Sequence, residues 1–379
     1  MKRFFIYMKD YLKRSDSLLL SLCLISTIFG MVLIKSATTS SGNQYVITQA
    51  AALVIGLVLY FLFSVIDVDI IADKSKLLFI FSTIFISSLL IFGVAGDSGN
   101  RAWIRFGLIG LQPAEIVKIP FIIMMARLLT YQGQGPGIND KMSVLQSCLL
   151  FGFFFCLIII TSADLGSALV YLFVFVVMIF IAGLSFKWIG AGLLAVTGVS
   201  PILWRFFLSD NQKNRILAPY IDSIDPTGTG VMWQANQSKI AIASGKLFGQ
   251  GLFNGAQTQS GAVPQQHTDF IFSVAGEELG LIGCLIIILL LILIICRCIY
   301  VGIKANDTQN GLICIGIAAM LIFQTFENIG MCIGLTPVIG LTLPFFSYGG
   351  SSILTLYAAM GIVSGIKMRP KPNIITRYY

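Results

Sequence analysis

Long, uninterrupted apolar runs are the feature of this 379-residue sequence that most constrains its fold. Hydrophobic residues make up 56% of the chain and charged residues only 11%, whereas soluble domains carry about 25% charged residues. A water-soluble protein of this length would need far more polar surface. The composition therefore excludes a cytosolic enzyme, a disordered chain and a secreted disulfide scaffold.

The runs are continuous rather than alternating, which also excludes an outer-membrane β-barrel. A helix that crosses a bilayer needs about 20 mostly apolar residues. The sequence therefore predicts an all-α polytopic membrane protein with about ten transmembrane helices, which form a single integral membrane domain over residues 1–379. The predicted spans are 16–36, 45–66, 77–95, 112–131, 145–162, 167–184, 187–208, 269–297, 309–333 and 348–366.

Basic residues are distributed unevenly between the predicted loops. With the N-terminus placed in the cytoplasm, 16 of the 25 lysines and arginines fall on the cytoplasmic side, which is the side that positive charge favours. An even number of spans returns the basic C-terminus to the same side. We therefore expect a multi-pass protein with both termini cytoplasmic, and we attribute the net charge of +8 to this topology rather than to nucleic-acid binding.

One connecting segment, residues 209–268, is about sixty residues long. In the predicted topology it is a large extracytoplasmic loop, and ordered loops of this length are usually functional. Its glycine-rich stretch contains Gly249, Gly251 and Gly255. Because glycine has the greatest backbone freedom, we expect these positions to act as hinges that let the loop move.

Ionisable residues at membrane depth are costly and are therefore candidates for function. Glu115 and Lys118 lie three residues apart in the fourth predicted span, and this spacing places them on one helical face. We expect a buried ion pair that either faces a central cavity or only orients the helix. Just before them, Arg101, Trp103 and Arg105 either anchor the chain at the membrane interface or form a site for an anionic headgroup.

Carboxylates also stand at the starts of two later spans. Asp164 precedes the sixth span, where capping of the helix explains it. Asp269 opens the eighth span two residues after the only histidine, His267, and Glu277 and Glu278 follow in the same helix. Capping also explains Asp269 alone, but three carboxylates in one helix beneath the long loop favour a function.

With one histidine and no Cys-x-x-Cys pair among the eight cysteines, we expect no dedicated metal site.

The residues alone leave two classes open, because basic groups with an outer carboxylate suit both an enzyme for a lipid-linked phosphate and a transporter. Several longer motifs, however, resemble those of one family. They are QPAEIVK at 112–118, Asp164-Leu-Gly, QSKIAIASG at 237–245, GAQTQ at 255–259, HTDFIF at 267–272, GEELG at 276–280, Asn328-Ile-Gly-Met and PFFSYGGSS at 344–352. In this order, and over nearly the whole chain, the sequence is similar to the SEDS family of bacterial shape, elongation, division and sporulation proteins. It resembles the elongation (RodA) type more than the division (FtsW) type.

The resemblance implies a glycosyltransferase of the bacterial inner membrane. Such an enzyme polymerises peptidoglycan glycan strands, with inversion, from lipid II, an undecaprenyl-pyrophosphate disaccharide-pentapeptide, for cell elongation and shape. The alternatives are a lipid II flippase and a division or sporulation member of the family. The implied partners are lipid II, the nascent glycan strand, a class B penicillin-binding protein transpeptidase and other membrane proteins of the elongation complex, with no nucleic acid.

The resemblance also assigns residues. Asp269 matches the family's essential outer-loop carboxylate and is the candidate catalytic base. Glu115 and Lys118 match its buried pair and are candidates for substrate binding. The further candidates for substrate binding lie in the outer segments, and many are basic residues that would face the pyrophosphate: Arg101, Trp103, Arg105, Arg215, Lys239, Lys246 and His267. No cofactor is assigned. A divalent cation, Mg²⁺ or Mn²⁺, is the alternative source of positive charge, although the sequence shows no cage for it.

Overall fold

The computed structural model describes residues 14–94, 101–106, 109–206 and 210–369, and most of these residues are helical. The helices in chain order are α1 (Ser17–Ala37), α2 (Gln44–Val65), α3 (Val68–Asp73), α4 (Ser75–Ser87), α5 (Leu89–Phe92), α6 (Pro113–Gln134), α7 (Lys141–Ser162), α8 (Leu165–Ile181), α9 (Phe186–Phe206), α10 (Asp210–Leu217), α11 (Trp233–Gly245), α12 (Ala256–Ser260), α13 (Ile271–Ile303), α14 (Thr308–Cys332) and α15 (Gly350–Met368). An antiparallel hairpin of β1 (Ile104–Phe106) and β2 (Ile109–Leu111) precedes α6.

Seven helical segments of the described residues are long and apolar enough to cross a membrane. They are α1, α2, α4 with α5, α7, α13, α14 and α15. Helix α8 is also apolar but has only 17 residues, and α6 and α9 occupy the places of the two remaining predicted spans. The all-helical membrane fold is confirmed, whereas the count of ten spans stays a prediction. Part of the basic charge that set the predicted orientation lies in residues 1–13 and 370–379, outside the described ranges.

Helices α2 and α15 approach closely because small residues line their contact. Gly361 and Gly365 form a Gly-x-x-x-Gly pair on α15. A β-carbon at Gly361 would lie 2.5 Å from the carbonyl oxygen of Tyr60, and one at Gly365 would lie 2.8 Å from that of Ser64. Because lipid is as apolar as the helices, such close packing replaces the hydrophobic effect as the force that associates them.

A buried carboxylate joins three helices at one end of the bundle. Asp16 is fully buried, and its side chain accepts a hydrogen bond from the backbone N–H of Leu19 at the start of α1. The same carboxylate pairs with Nε of Arg297 at 2.8 Å and with Nζ of Lys367 at 3.3 Å. One acid therefore ties the start of α1 to α13 and α15. No local pattern in the sequence marks Asp16 for this role.

Helix α13 is broken at Gly280, where φ is +69° and ψ is −163°. The break exposes backbone groups that have no partner within the helix. Four hydrogen bonds to the large loop satisfy them: Leu281 N to Lys246 O (2.9 Å), Ile282 N to Leu247 O (3.3 Å), Gln250 N to Glu277 O (2.9 Å) and Gly251 N to Glu278 O (3.0 Å). Because backbone groups at membrane depth need internal partners, residues 246–251 complete the broken helix.

The loop glycines permit this contact. A β-carbon at Gly249 would lie 2.1 Å from the carbonyl oxygen of Glu278, and one at Gly255 would lie 2.7 Å from Oε2 of Glu277. No larger residue fits without moving the backbone or the carboxylate. Packing therefore explains these two glycines, and the hinge role expected for them stays a prediction.

The close α2–α15 contact predicts that a larger side chain at its glycines lowers the stability of the protein. We expect Gly361→Leu to lower the melting temperature of the purified protein, because the leucine must displace the backbone of α2, and overpacking costs about 1–3 kcal/mol. Gly152→Leu on α7 is the matched control, since no atom of the described residues lies within 4 Å of a β-carbon there. Equal melting temperatures for the two variants would contradict the close contact.

Candidate active site

Asp269 lies in the turn that ends the large loop. Its backbone N–H donates to the carbonyl of Gln265 at 3.1 Å, and its carbonyl accepts from Nδ2 of Asn328 at 2.7 Å. The same amide nitrogen donates to the carbonyl of Leu341 at 2.7 Å, so Asn328 joins this turn to the extended segment 336–349. The capping residue of α13 is Phe270, with no side-chain cap hydrogen bond, and the capping alternative for Asp269 is therefore wrong.

The environment of the Asp269 carboxylate favours its protonated form. Burial raises the pKa of Asp269, the Thr268 hydroxyl lowers it and the negative charge of Asp164 raises it, and together they bring it to about 6. A β-carbon at Gly340, whose φ is +72°, would lie 3.3 Å from Oδ2 of Asp269, so a glycine at this position leaves room beside the carboxylate. A carboxylate with a pKa near neutral pH is suited to proton transfer.

Asp164 is the acidic neighbour of Asp269 and caps α8, as the sequence predicts. Its Oδ1 accepts from the backbone N–H of Ser167 at 3.0 Å. Its Oδ2 accepts from the Ser167 hydroxyl at 2.7 Å and from Nε2 of Gln112 at 2.8 Å. These three bonds fix the carboxylate, and its charge acts on Asp269 from a fixed position.

Glu115 and Lys118 form the expected ion pair on α6, between Oε1 and Nζ. The two residues are 6% and 2% exposed. Glu115 lies about one turn after Gln112, whose side chain is bonded to Asp164, and Lys118 lies nearly one turn further along α6. The enclosure and pairing of Lys118 are consistent with a role in orienting α6, and its candidacy for substrate binding stays a prediction.

The hairpin residues lie at the edge of the site. The indole of Trp103 covers Gly110, where a β-carbon would lie 3.1 Å from the ring, and Arg105 stands opposite Gly110 in the strand register. The hydroxyl of Ser351 at the start of α15 donates to the carbonyl of Gly110 at 2.9 Å, which fixes the hairpin. Arg101 and Arg105 are exposed and present positive charge at this edge.

Two basic residues of the large loop also lie near the extended segment. Arg215 lines a cavity of about 270 Å³ whose wall includes Trp233, Gln234, Pro264 and Val338. Val338, in the wall of this cavity, lies two residues before Gly340 in the extended segment that also adjoins Asp269. Lys239 on α11 is exposed, and its Nζ would lie 3.4 Å from a β-carbon at Gly334.

Lys246 and His267 are placed less favourably than the sequence analysis expected. The carbonyl of Lys246 is bonded to Leu281, ten residues into α13 and therefore about 15 Å along the helix from its start. The ring of His267 packs against Tyr45 and Tyr348, with centroids 4.6 Å and 5.7 Å away. Burial lowers the pKa of His267, so its imidazole is neutral at pH 7 and supplies no positive charge.

Glu277 and Glu278 accept hydrogen bonds from neighbouring segments of the protein. Glu277 accepts from the backbone N–H groups of Gln257 and Thr258 and from the Thr258 hydroxyl, at 2.6–2.8 Å. Glu278 accepts from the Ser36 hydroxyl at 2.6 Å. These contacts give both carboxylates partners in neighbouring segments, and the function expected for the three carboxylates together stays a prediction.

The sequence profile of the cell cycle protein family FtsW/RodA/SpoVE matches residues 16–371. The chain belongs to this family. The match confirms the SEDS resemblance that the motifs indicated.

Relatives of both named types occur at similar identity. The chain is 36% identical over 294 residues to the peptidoglycan glycosyltransferase MrdB of Escherichia coli, covering 78% of each chain. It is 31% identical over 380 residues to a protein of Bacillus subtilis named as a probable peptidoglycan glycosyltransferase FtsW, covering 95% of this chain and 92% of that one.

Solved structures of the family share the fold. One, titled for a peptidoglycan synthase complex that coordinates polymerization and crosslinking, has a TM-score of 0.78 at 29% identity and covers 93% of this chain and 97% of its own. The rod shape determining protein RodA of Thermus thermophilus has a TM-score of 0.69 at 27% identity, with 93% and 96% covered. SEDS family members therefore have the helical arrangement described here.

The Glu115–Lys118 pair predicts that removing either charge alone destabilises the protein. We expect Glu115→Gln to lower the melting temperature strongly, because an unpaired buried charge costs about 3–5 kcal/mol. The double variant Glu115→Lys, Lys118→Glu should recover most of the loss. The control is Lys213→Gln, since Lys213 pairs with Asp210 at the same spacing on an exposed surface, where such pairs contribute little. Equal melting temperatures for Glu115→Gln and Lys213→Gln would refute the structural role.

Proposed function

We propose that this chain polymerises peptidoglycan glycan strands from lipid II, with undecaprenyl pyrophosphate as the leaving group and inversion at the reacting carbon. The observation that carries the proposal is the partly buried carboxylate of Asp269, whose pKa is raised to about 6 at the end of the large loop. Family membership supports it, because relatives across the family are named peptidoglycan glycosyltransferases.

Asp269 acts as the general base in this proposal. The attacking group is the 4-hydroxyl of the terminal GlcNAc of lipid II, which is a weak nucleophile while it keeps its proton. Asp269 takes that proton as the oxygen bonds to the anomeric carbon of the growing strand, and the bond from that carbon to the pyrophosphate oxygen breaks. Positioned bases of this kind contribute about 10²–10⁴-fold to the rate.

The leaving pyrophosphate needs positive charge in fixed positions. Arg101, Arg105, Arg215 and Lys239 are the exposed candidates near the site. The cavity beside Arg215 also presents an indole and an amide, which suits a sugar ring.

A requirement for Mg²⁺ or Mn²⁺ is not part of the proposed steps. The described residues contain no group of three or more histidine, cysteine or acidic side chains that could hold a metal. Both oxygens of Asp164 already accept hydrogen bonds from protein groups. The structure assigns no ligands to a cation here, and the proposed steps use only the side chains of this chain.

The proposed setting is the inner membrane of a bacterium, with both termini cytoplasmic and residues 209–268 outside. The similarity to MrdB and RodA supports a role in elongation, and the similarity to a synthase complex supports a class B penicillin-binding protein as the partner. Polymerisation of lipid II by the purified protein, alone and with such a transpeptidase, tests the function and the partner together. Inactivity of folded protein in both reactions would count against the polymerase.

Substitution of Asp269 tests the base. We expect Asp269→Asn to reduce the polymerisation rate by about 10²–10⁴-fold. The melting temperature of the variant should stay close to that of the parent protein. Since the base must be deprotonated and its pKa is raised to about 6, the rate of the parent enzyme should rise with pH through about 6 and then level. Asp210→Asn, on an exposed side chain, is the control. Near-normal polymer from Asp269→Asn would remove Asp269 from the mechanism.

The orientation is tested by labelling. Native Cys148, Cys156 and Cys296 are exposed and are first replaced by alanine. We then expect Thr227→Cys in the large loop to react with a membrane-impermeant maleimide added to intact cells, because Thr227 is exposed and the loop is proposed to face outside. Labelling only after the inner face is opened would reverse the proposed topology.

A further inference from the structure

We propose that residues 246–253 of the large loop, the loop segment, lie within the bilayer and contact lipid acyl chains. Four large apolar side chains of this segment are exposed: Leu247 (57%), Phe248 (78%), Leu252 (37%) and Phe253 (44%). In water this cluster would be an unfavourable surface for so short a segment. The proposal concerns only where the segment lies and does not rest on the glycosyltransferase function.

The exposed cluster is continuous with the lipid-facing side of α13. Apolar residues just after the break at Gly280 are also exposed, namely Leu281, Ile282, Leu285 and Ile286. The first two are the residues whose backbone N–H groups bond to Lys246 and Leu247. The loop segment therefore lies against the helix at the level where the helix already faces lipid, and its side chains extend the same apolar surface.

The position of the break along α13 sets its depth. Arg297 pairs with Asp16 at the other end of the bundle, and it lies 17 residues after Gly280. At 1.5 Å per residue the two are about 25 Å apart along the helix, and the hydrocarbon core is about 30 Å thick. With Arg297 at one boundary of the core, Gly280 falls inside the opposite boundary, and so does the loop segment bonded beside it.

The backbone of the loop segment meets the requirement that this depth imposes. Irregular backbone in the hydrocarbon is tolerated only where its polar groups have protein partners. The backbone N–H groups of Gly249, Gln250 and Gly251 donate to the carbonyls of Gly245, Glu277 and Glu278 at 2.7–3.0 Å. The side chain of Gln250 is bonded to Ser244 and to the backbone N–H of Ala256.

Lys246, the one charged residue of the segment, is exposed. Its long side chain allows the ammonium group to reach the headgroup layer while the backbone stays deeper. A partner's membrane helix would also cover an apolar surface, but a lysine at the border and continuity with a lipid-facing span favour lipid. Lys246 is then a lipid contact rather than a ligand of the pyrophosphate.

Collision measurements on nitroxide labels test the proposal. The full chain, with Cys148, Cys156 and Cys296 replaced by alanine, is reconstituted alone in nanodiscs of phosphatidylcholine and phosphatidylglycerol. Single labels are placed through Phe248→Cys and Leu252→Cys. Leu285→Cys on α13 is the lipid-facing reference, and Thr227→Cys is the reference for a water-facing loop. The accessibility of each label to oxygen, which partitions into lipid, is compared with its accessibility to a water-soluble nickel complex.

We expect the labels at positions 248 and 252 to match position 285, with ready oxygen collisions and a loss of nickel collisions relative to position 227. Nickel accessibility equal to that of position 227 would overturn the proposal. Low accessibility to both reagents would overturn it as well, since it would show that protein, such as a second copy of the chain, covers the surface. Leu247→Cys and Phe253→Cys replace the first pair if either variant fails to fold.

Discussion

The need to satisfy backbone hydrogen bonds at membrane depth controls the architecture around the site. Helix α13 is broken at Gly280, and a broken helix in a bilayer is stable only if other protein groups take up the freed donors and acceptors. Residues 246–251 of the large loop do this through four backbone hydrogen bonds. The loop and the helix that follows it therefore form one unit.

That unit determines where Asp269 stands. The turn that carries it begins α13, and Asn328 fixes the turn by donating to the carbonyls of Asp269 and Leu341. The carboxylate is then held beside Gly340 and within the field of Asp164. Positioning and burial act together here, because the contacts that place the carboxylate also exclude the water that would keep its pKa low.

The charged residues fall into two groups, those that form buried ion pairs and those that are exposed. Asp16 ties α1 to α13 and α15 through Arg297 and Lys367, and the buried Glu115–Lys118 pair is on α6. A buried charge needs a partner, and these partners are therefore committed to structure. Arg101, Arg105 and Arg215 are exposed, and they are the proposed source of positive charge for a negatively charged ligand.

The sequence by itself determined the membrane class and the family, and it singled out Asp269 as the candidate base, because apolar runs and ordered motifs are properties of neighbouring residues. Only the tertiary structure decided that Asp164 acts on Asp269, that Asp16 is a junction and that Lys246 lies away from the site. It also showed that Gly249 and Gly255 lie against a helix some twenty to thirty residues later, where a β-carbon would clash. Contacts between distant segments depend on how the helices pack, and no local pattern records that.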